Sequence, residues 1–445
     1  MSFMSDDKNL KKDPGEKYQE DFLSADGSVI NRRYVDSNLL SHDLRKRVDA
    51  AIRTKVRHMT GFNKKIKLQQ SGLRIGYSFW GFLGDHKMSD EGDRLSTPDG
   101  NATYSWSFIL EAVRRGHRVI PMMPDRDKPA CDEYGVANFE SIAQAHRVTV
   151  YTHLVESTDV FHGNGNSEND KFPELDVLVL EWRFPIKGRN FGLLPVDPGY
   201  QPDFDRQTAL LKHYSDKKTK IIIWDLDLKL TEEDEKTWPI SSIIETSVHP
   251  IQQVHKRVQV EPPVYIDSLM EWPTVLATNM LSYIGSRYER DDVIDHWIRP
   301  IANREGCRGK IHFYGNWMKD LSELTLRWPG VCFNDRVTLS EFKEILRCAA
   351  GVPLLAKEEY RKRGFITPRV WEALAFGSIP VGLHGHAAIS KYTDFVAKDP
   401  DNLKEISLEL LSMSLEDRDK ERKKAIDKIK FMDVKYFMNT LEGLF

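Results

Sequence analysis

The sequence has no long apolar run, few cysteines and no excess of charge of either sign. No apolar stretch approaches the ~20 residues that a membrane-spanning helix needs, so membrane insertion is not expected. The cysteines are far apart and form no Cys-x-x-Cys pair, which favours reduced thiols over a zinc site or a disulfide framework; they are Cys131, Cys307, Cys332 and Cys348. The formal net charge of −3 excludes a globally basic nucleic-acid-binding protein, so any basic surface must be local.

The first seventy residues also lack features that would mark a secreted or tightly folded segment. The chain begins Met1-Ser-Phe-Met-Ser-Asp-Asp, without the apolar core of a secretory signal, and a cytoplasmic protein is therefore expected. Residues 1–70 are polar and charged and contain no strand-like run. This composition predicts a flexible N-terminal extension.

One part of this extension is strongly basic. Residues 43–67 contain nine lysines and arginines against two acids. Leu44, Val48, Ile52 and Val56 recur within it at helical spacing. The pattern is typical of a basic amphipathic helix that contacts phosphate, and equally of a solvated helix packed on the first domain by its apolar edge. The sequence leaves both interpretations open.

Residues 71–262 alternate predicted strands with predicted helices. Strands are predicted at 73–80, 117–123, 175–181 and 220–225, and helices at 101–115 and 206–214. Because a strand–helix–strand order is typical of parallel neighbours, we expect a doubly wound domain. Gly100 precedes the first helix, whose N-terminal N–H groups suit an anion, although an ordinary helix start would look the same.

The rigid sequence Glu261-Pro262-Pro263 predicts a hinge before a second domain. Residues 263–401 again alternate predicted strands with predicted helices. Residues 402–445 are helical in pattern, charged and amphipathic. Two domains are also the default for 445 residues. We expect a ligand in the cleft between them, at the carboxyl ends of the strands.

The most informative segment covers residues 364–382. Pro368 suits the first turn of a helix, and Gly377 favours the end of that helix before an apolar strand. Glu372 is the only charged residue of the segment after Arg369. An isolated acid on an apolar helix next to a strand end indicates a ligand contact; a cap or an ion pair with a neighbour is the alternative.

This segment, Glu372-Ala-Leu-Ala-Phe-Gly377-Ser-Ile-Pro380-Val, resembles the E-A-L-A-x-G-x-P-V segment of nucleotide-sugar glycosyltransferases of the GT-B type. Other motifs occur in an order similar to that of the T-even phage DNA α-glucosyltransferases, which transfer sugar to hydroxymethylcytosine in DNA. They are Gly100 before a helix, Gly116-His117-Arg-Val, the Glu261-Pro-Pro hinge and Ile284-Gly285-Ser-Arg287. The resemblance implies an α/β GT-B fold, with two Rossmann-like domains facing across a cleft and a last helix that crosses back to the first domain.

The resemblance also implies how the donor is bound. Arg287 and the Lys362/Arg363 region would meet the diphosphate and stabilise it as a leaving group, while Glu372 would meet the ribose. The donor-binding set is completed by Gly100, Gly285 and Thr367. The family's E-x7-E acid pair is interrupted, because Gly364 occupies its first position. We therefore expect altered contacts to the transferred sugar, which is a hexose or a pentose such as arabinose.

Asp225-Leu-Asp227 follows the predicted strand 220–225. An Asp-x-Asp at a strand end is also the metal–diphosphate signature of the GT-A fold, and carboxylates suit Mg²⁺ or Mn²⁺, but the Glu372 segment has no place in that fold. In a GT-B enzyme, Asp225 or Asp227 would orient the acceptor hydroxyl or act as the general base. The sequence does not separate the two, and a cap on the following helix is the alternative.

Two further motifs have a functional and a structural interpretation. His384-Gly-His386 lacks further ligands at metal spacing, so a turn is predicted rather than a metal site. Trp182-Arg183-Phe184 follows a strand and is suited to stack on an extruded base; a packed core aromatic is the alternative.

Together these features predict an enzyme that transfers a sugar from a nucleoside-diphosphate sugar, such as a UDP-sugar, to an acceptor hydroxyl. The acceptor favoured by the resemblance is a hydroxymethylated pyrimidine in double-stranded phage DNA, which would place the protein in the host cytoplasm. By the same resemblance, retention of anomeric configuration and no required divalent metal are expected. The alternatives are a glycosyltransferase of cell-surface polysaccharide and a non-catalytic DNA-binding module.

Overall fold

The computed structural model describes residues 19–23, 29–34, 72–78, 104, 107–109, 111–112, 114–122, 172–182, 201–226, 228–246, 257–270, 272–315, 317–335, 337 and 339–445. The predictions for Gly100, Asp227, Arg183, Phe184 and the basic segment 43–67 lie outside these residues.

The strands are β1 (Gln19–Leu23), β2 (Val29–Tyr34), β3 (Arg74–Ser78), β4 (Arg118–Met122), β5 (Val177–Glu181), β6 (Lys220–Trp224), β7 (Ser242–Glu245), β8 (Arg257–Gln259), β9 (Asn279–Ile284), β10 (Ile311–Tyr314), β11 (Val331–Asn334), β12 (Ala349–Pro353), β13 (Ile379–Leu383) and β14 (Val396–Ala397). The helices are α1 (Gln201–Ser215), α2 (Glu232–Thr237), α3 (Asp291–Val293, continued by the π-helical Ile294–Ile298 and by Arg299–Ala302), α4 (Leu321–Arg327), α5 (Leu339–Cys348), α6 (Glu358–Arg363), α7 (Arg369–Ala375), α8 (Ile389–Tyr392), α9 (Pro400–Ser412), α10 (Leu415–Lys428) and α11 (Val434–Glu442). Helical residues also lie at 104, 107–109, 111–112 and 114.

The prediction that residues 1–70 contain no strand is wrong. Strands β1 and β2 pair as an antiparallel hairpin, with Gln19 opposite Tyr34 and an irregularity between Phe22 and Leu23. Backbone hydrogen bonds form this ladder whatever the polarity of the side chains. A polar strand pair therefore has no continuous apolar run by which the sequence could have revealed it.

The N-terminal domain contains a parallel six-stranded sheet in the order β4-β3-β5-β6-β7-β8. Strand β5 is buried along its whole length, and β6 from Ile221 onward, which is why both are apolar throughout rather than alternating. The predicted doubly wound architecture is confirmed. Strands β7 and β8, which the sequence analysis did not predict, are short and begin with polar residues.

The C-terminal domain repeats this architecture with a second parallel sheet, in the order β11-β10-β9-β12-β13-β14. The strand order reverses between β9 and β12, and a crevice forms outside the carboxyl ends of the strands at such a point. Helix α3 widens into a π turn just before Pro300, where Arg299 N–H bonds to Ile294 O. Because Pro300 has no N–H, the regular α-helical ladder cannot continue through it.

The last helix crosses back to the N-terminal domain, as predicted. Glu442 of α11 accepts hydrogen bonds from Arg115 at 2.7 Å and contacts His117 Nε2 at 3.0 Å. Near the start of the helix, Asp433 forms a parallel bridge with Val264. The chain therefore ties its C-terminal helix to both the first domain and the hinge region.

Glu261, within the predicted hinge, is held by the C-terminal domain. Its carboxylate accepts a hydrogen bond from the Tyr392 hydroxyl at 2.9 Å and is also paired with Lys391. No helix within the described part of the chain is both long and apolar enough to cross a membrane.

Candidate functional site

Three acids lie at the carboxyl ends of three neighbouring strands in the N-terminal sheet. Glu181 ends β5, Asp225 follows β6 and Glu245 ends β7, and all three are buried. Burying a carboxylate is unfavourable unless it is paired or protonated. The partners of these acids therefore determine what this edge of the sheet can do.

Arg257, at the start of β8, is the cation that contacts two of these acids, Asp225 and Glu245. It contacts Glu245 at 2.6 Å, Glu235 at 2.9 Å and Asp225 at 3.5 Å. Its side chain is almost completely buried, and so are those of its three partners. Glu245 and Arg257 were not singled out in the sequence. The available signal was the one that marked Asp225, namely an acid at the end of a short apolar run.

The C-terminal domain supplies a second cation to this cluster. Arg363, the last residue of α6, donates from Nη2 to Glu245 Oε1 at 2.7 Å, while Arg257 donates to Glu245 Oε2. The Arg363 side chain is only 7% exposed. Burial lowers the pKa of this guanidinium, although Glu245 opposes the shift. One carboxylate thus bridges an arginine from each domain.

Asp225 shapes the loop that follows β6. Its carboxylate accepts hydrogen bonds from the backbone N–H groups of Lys229 at 2.8 Å and Leu230 at 3.3 Å. Leu228, in the loop between β6 and Lys229, has a left-handed backbone with φ of 59°. Asp225 therefore holds the loop before α2 rather than capping the helix, because the N-cap of α2 is Thr231.

Stability is expected to depend on the protonation of Asp225. Burial raises the pKa of this carboxyl to about 6 from an ordinary 3.8, partly opposed by the backbone N–H groups and Arg257. The folded protein therefore binds this proton more tightly than the unfolded chain does. The resulting stabilisation is complete below the unfolded pKa of 3.8 and is lost as the pH rises through about 6.

The Asp225→Asn variant removes this titration. We expect the unfolding free energy of the variant, relative to the native protein, to increase by about 2 to 3 kcal/mol between pH 4 and pH 7.5. Urea unfolding at the two pH values measures this difference. Asp216→Asn, at an exposed position after α1, is the control. A difference that stays constant with pH would contradict the assignment.

The crevice of the C-terminal sheet is bordered by the loop that follows β9. Arg290 in this loop donates to Leu355 O at 2.9 Å and to Tyr288 O at 2.7 Å. Because Leu355 follows β12, the guanidinium spans the point where the strand order reverses. Gly285 begins the loop, and a Cβ there would lie 2.6 Å from the Tyr283 hydroxyl oxygen.

Arg287, predicted to meet the diphosphate, is held by acids in this structure. It donates to Asp291 at 2.7 and 2.8 Å and to Glu323 at 2.8 Å, and it lies 5.5 Å from the centre of the Trp328 ring. These hydrogen bonds raise the pKa of the guanidinium. Its side chain is a quarter exposed, so the predicted ligand contact would require Arg287 to share or leave these partners.

The other predicted donor-binding residues lie in different environments. Lys362 is exposed and paired with Glu358 at 2.6 Å, and Thr367 is half-buried before α7. Lys357, after β12, contacts Glu289 at 3.5 Å and lies 4.3 Å from the centre of the Tyr360 ring. Of these cations, Lys357 is nearest in sequence to the carboxyl end of β12. That strand end borders the crevice of the C-terminal sheet.

Glu372 is fully buried on α7. Its carboxylate is paired with Arg369 one turn earlier on the same helix. Tyr104 of the N-terminal domain packs on the neighbouring Trp371 with ring centres 5.2 Å apart. Burial raises the pKa of Tyr104, and the charge of Glu372 raises it further. Contact between the domains thus covers the helix that carries Glu372.

Gly364, at the interrupted acid position, has a structural reason to be glycine. It ends α6 with a left-handed backbone, φ of 69°, and its N–H bonds to Arg361 O. Residues with a Cβ adopt this conformation only at a cost. The missing acid of the family pattern coincides with a helix end that favours glycine.

The remaining motifs have structural roles here. Trp182 is fully buried in the first domain, as the core-aromatic alternative expected. His386 is also buried and contacts Phe365 O at 3.0 Å in a turn. Among the described residues, no group of three or more His, Cys, Asp or Glu side chains is arranged to hold a metal ion.

Comparison with known proteins gives no match by sequence and several by structure. No protein-family model and no curated protein sequence matches the chain. An alpha-glucosyltransferase in complex with UDP-glucose and DNA containing an abasic site is 15% identical, with a TM-score of 0.53 over 84% of this chain and 100% of that one. An alpha-glucosyltransferase with UDP and a 13-mer DNA containing an HMU base is 15% identical, with a TM-score of 0.50 over 84% of this chain and 99% of that one. The chain has the GT-B fold of these enzymes.

In the GT-B fold, the carboxyl ends of the two sheets face each other across the cleft between the domains. The acidic edge of the N-terminal sheet contacts the C-terminal domain through Glu245, and through Leu228 in the loop after β6. Contacts such as Glu245–Arg363 join the two domains directly. The fold and the two-sheet architecture predicted from the sequence resemblance are confirmed.

Proposed function

We propose that this GT-B protein transfers a sugar from a nucleoside-diphosphate sugar, with UDP as the favoured nucleotide, to a hydroxyl of a modified base in double-stranded DNA. The observation that carries the proposal is the meeting of the carboxyl ends of both sheets across the domain boundary. The proposal is further supported by solved structures of the same fold that contain UDP or UDP-glucose together with DNA.

The chemistry requires a leaving group to be stabilised. The bond between the anomeric carbon and the diphosphate oxygen breaks, and the diphosphate takes the electron pair. Arg290 and Lys357 lie at the crevice of the C-terminal sheet, where their charges can offset the charge on the departing diphosphate. Arg287, Lys362 and Arg363 are proposed as additional cations, with Gly285 allowing close approach of the backbone. These positive side chains supply the stabilisation without a required metal ion.

The acceptor hydroxyl forms the new bond to the anomeric carbon and transfers its proton to a general base, for which Asp225 or Asp227 is proposed. We propose that the N-terminal domain holds the acceptor, with the Asp225 loop as one wall of its site. Glu372 is proposed to bind the donor ribose, as a carboxylate accepts hydrogen bonds from two hydroxyls. Retention of anomeric configuration is proposed from the likeness to α-glucosyltransferases alone.

The test is a transfer assay with a panel of acceptors and donors. We expect duplex DNA containing 5-hydroxymethylcytosine to gain the mass of one sugar when incubated with the protein and one of several UDP-sugars, including UDP-glucose and UDP-arabinose. Mass spectrometry of the released nucleosides measures the gain. The same duplex with unmodified cytosine is the control, because it lacks the hydroxymethyl group.

Other outcomes would reject parts of the proposal. Gain of sugar on a glycan but on no DNA would support a polysaccharide glycosyltransferase. DNA binding with no transfer and no donor hydrolysis from any nucleotide sugar would support a non-catalytic DNA-binding module.

A further inference from the structure

The cleft that the proposed function requires is sealed in this structure. Glu372 and Asp225 are fully buried, and Arg363 is nearly so. A nucleotide sugar cannot reach side chains that have no exposed surface. The two domains must separate locally at this edge before a donor can contact Glu372.

Among the described residues, the seal includes apolar contacts and an ionic one. Leu228 packs with Ala356, Tyr360 and Phe365 of the other domain. Tyr104 packs on Trp371, with their rings 5.2 Å apart, and its hydroxyl lies 3.4 Å from Ile366 O. The ionic contact is Arg363–Glu245 at 2.7 Å. An anionic ligand can compete only with the ionic contact.

The ionic contact can be exchanged without leaving a buried carboxylate unpaired. If Arg363 leaves, Glu245 still has Arg257 at 2.6 Å, on the other oxygen of its carboxylate. Arg257 is also held by Glu235, so it stays in place. Arg363 keeps Glu359 at 3.9 Å, and a diphosphate offers its guanidinium two or more acceptor oxygens in place of those of Glu245.

We propose that Glu245 is an intramolecular lock on Arg363, and that a diphosphate opens the cleft by taking the Arg363 guanidinium from this carboxylate. This proposal rests on the proposed function for the identity of the natural diphosphate, which would be that of the donor. The apparent affinity of the protein for the donor is therefore the intrinsic affinity of the open form multiplied by the fraction of molecules in which the lock is open.

The Glu245→Gln variant tests the lock, with Glu235→Gln as its matched control. Both residues contact Arg257, but Glu245 also contacts Arg363. We expect Glu245→Gln to bind inorganic pyrophosphate and UDP about three- to tenfold more tightly than the native protein, measured by calorimetry. Hydrogen exchange without ligand should become faster at residues 360–372 in this variant. Glu235→Gln should change neither quantity.

Several results would overturn the lock. Unchanged or weaker pyrophosphate affinity in Glu245→Gln, with unchanged exchange at residues 360–372, contradicts it even if sugar transfer is observed. Tighter pyrophosphate binding without any binding of nucleotide supports the lock and counts against the proposed function instead. If Glu245→Gln fails to fold, Arg363→Met provides the second test. We expect this variant to lose pyrophosphate binding, and retained binding would contradict the proposal.

Discussion

Replacing Arg422 by alanine is expected to lower the free energy of unfolding by about 4 kcal/mol. Arg422 on α10 is fully buried, and its guanidinium donates hydrogen bonds to the carboxyl end of α7 and to the segment that leads from the hinge. The acceptors are Leu374 O at 2.6 Å, Ala375 O at 3.1 Å, Leu269 O at 2.5 Å, Trp272 O at 2.6 Å and Thr274 Oγ1 at 3.1 Å. Alanine would leave several buried carbonyl groups without a donor.

The charge of Arg422 also matters, because a helix carries partial negative charge at its carboxyl end. Burial lowers the pKa of Arg422 to about 10, which still leaves it protonated at neutral pH. The stability loss is measured by urea unfolding. Lys423→Ala, at an exposed position on the same helix, should change stability by less than about 0.5 kcal/mol. A loss of similar size in both variants would show that the buried hydrogen bonds of Arg422 are not responsible.

The elements that the sequence predicted well are those with a strong local pattern. Strands β5 and β6 are buried along nearly their whole length and therefore apolar throughout, and their predicted ranges agree with the structure to within two residues. The helix that carries Glu372 was bounded correctly by Pro368 and Gly377, because each of these residues restricts the backbone in a known way.

The contacts between domains could not be predicted in the same way. Glu245 and Arg363 are 118 residues apart in sequence, and neither has a neighbour that indicates the other. The sequence identified Arg363 as one of the cations expected to meet the diphosphate, whereas the structure buries it against Glu245. Its partner is fixed by where two separate sheets end, which is a property of the assembled fold and not of a local pattern.

The predictions for Arg287 illustrate the same limit. A cation after a strand end was recognised from the sequence, but its acidic partners come from α3 and from Glu323 on α4. Helices that pack beside a loop determine which charges are paired there. A pattern of single residues therefore identifies candidates for a site, while their availability depends on packing.

Under the proposed function, the Glu372→Gln variant is expected to reduce sugar transfer to DNA by about 10- to 100-fold, because the proposed charge-assisted hydrogen bond to a ribose hydroxyl would contribute roughly 1.5 to 3 kcal/mol. Glutamine keeps the size of the side chain and one acceptor oxygen, so the fold is retained more readily than with alanine. If Glu372 contacts the ribose, the loss should include a weaker affinity for UDP, measured by calorimetry in the absence of DNA.

The alternative role of Glu372 is a purely structural pair with Arg369. The Arg369→Gln variant separates the two roles, because it breaks the same pair and keeps the carboxylate. If the pair matters only for packing, both variants should lower stability and leave the affinity for UDP unchanged. If Glu372 binds the ribose, Arg369→Gln should retain or improve UDP binding, since it removes one competing partner of the carboxylate, while Glu372→Gln weakens it. Glu409→Gln, exposed on α9, controls for the change of charge alone.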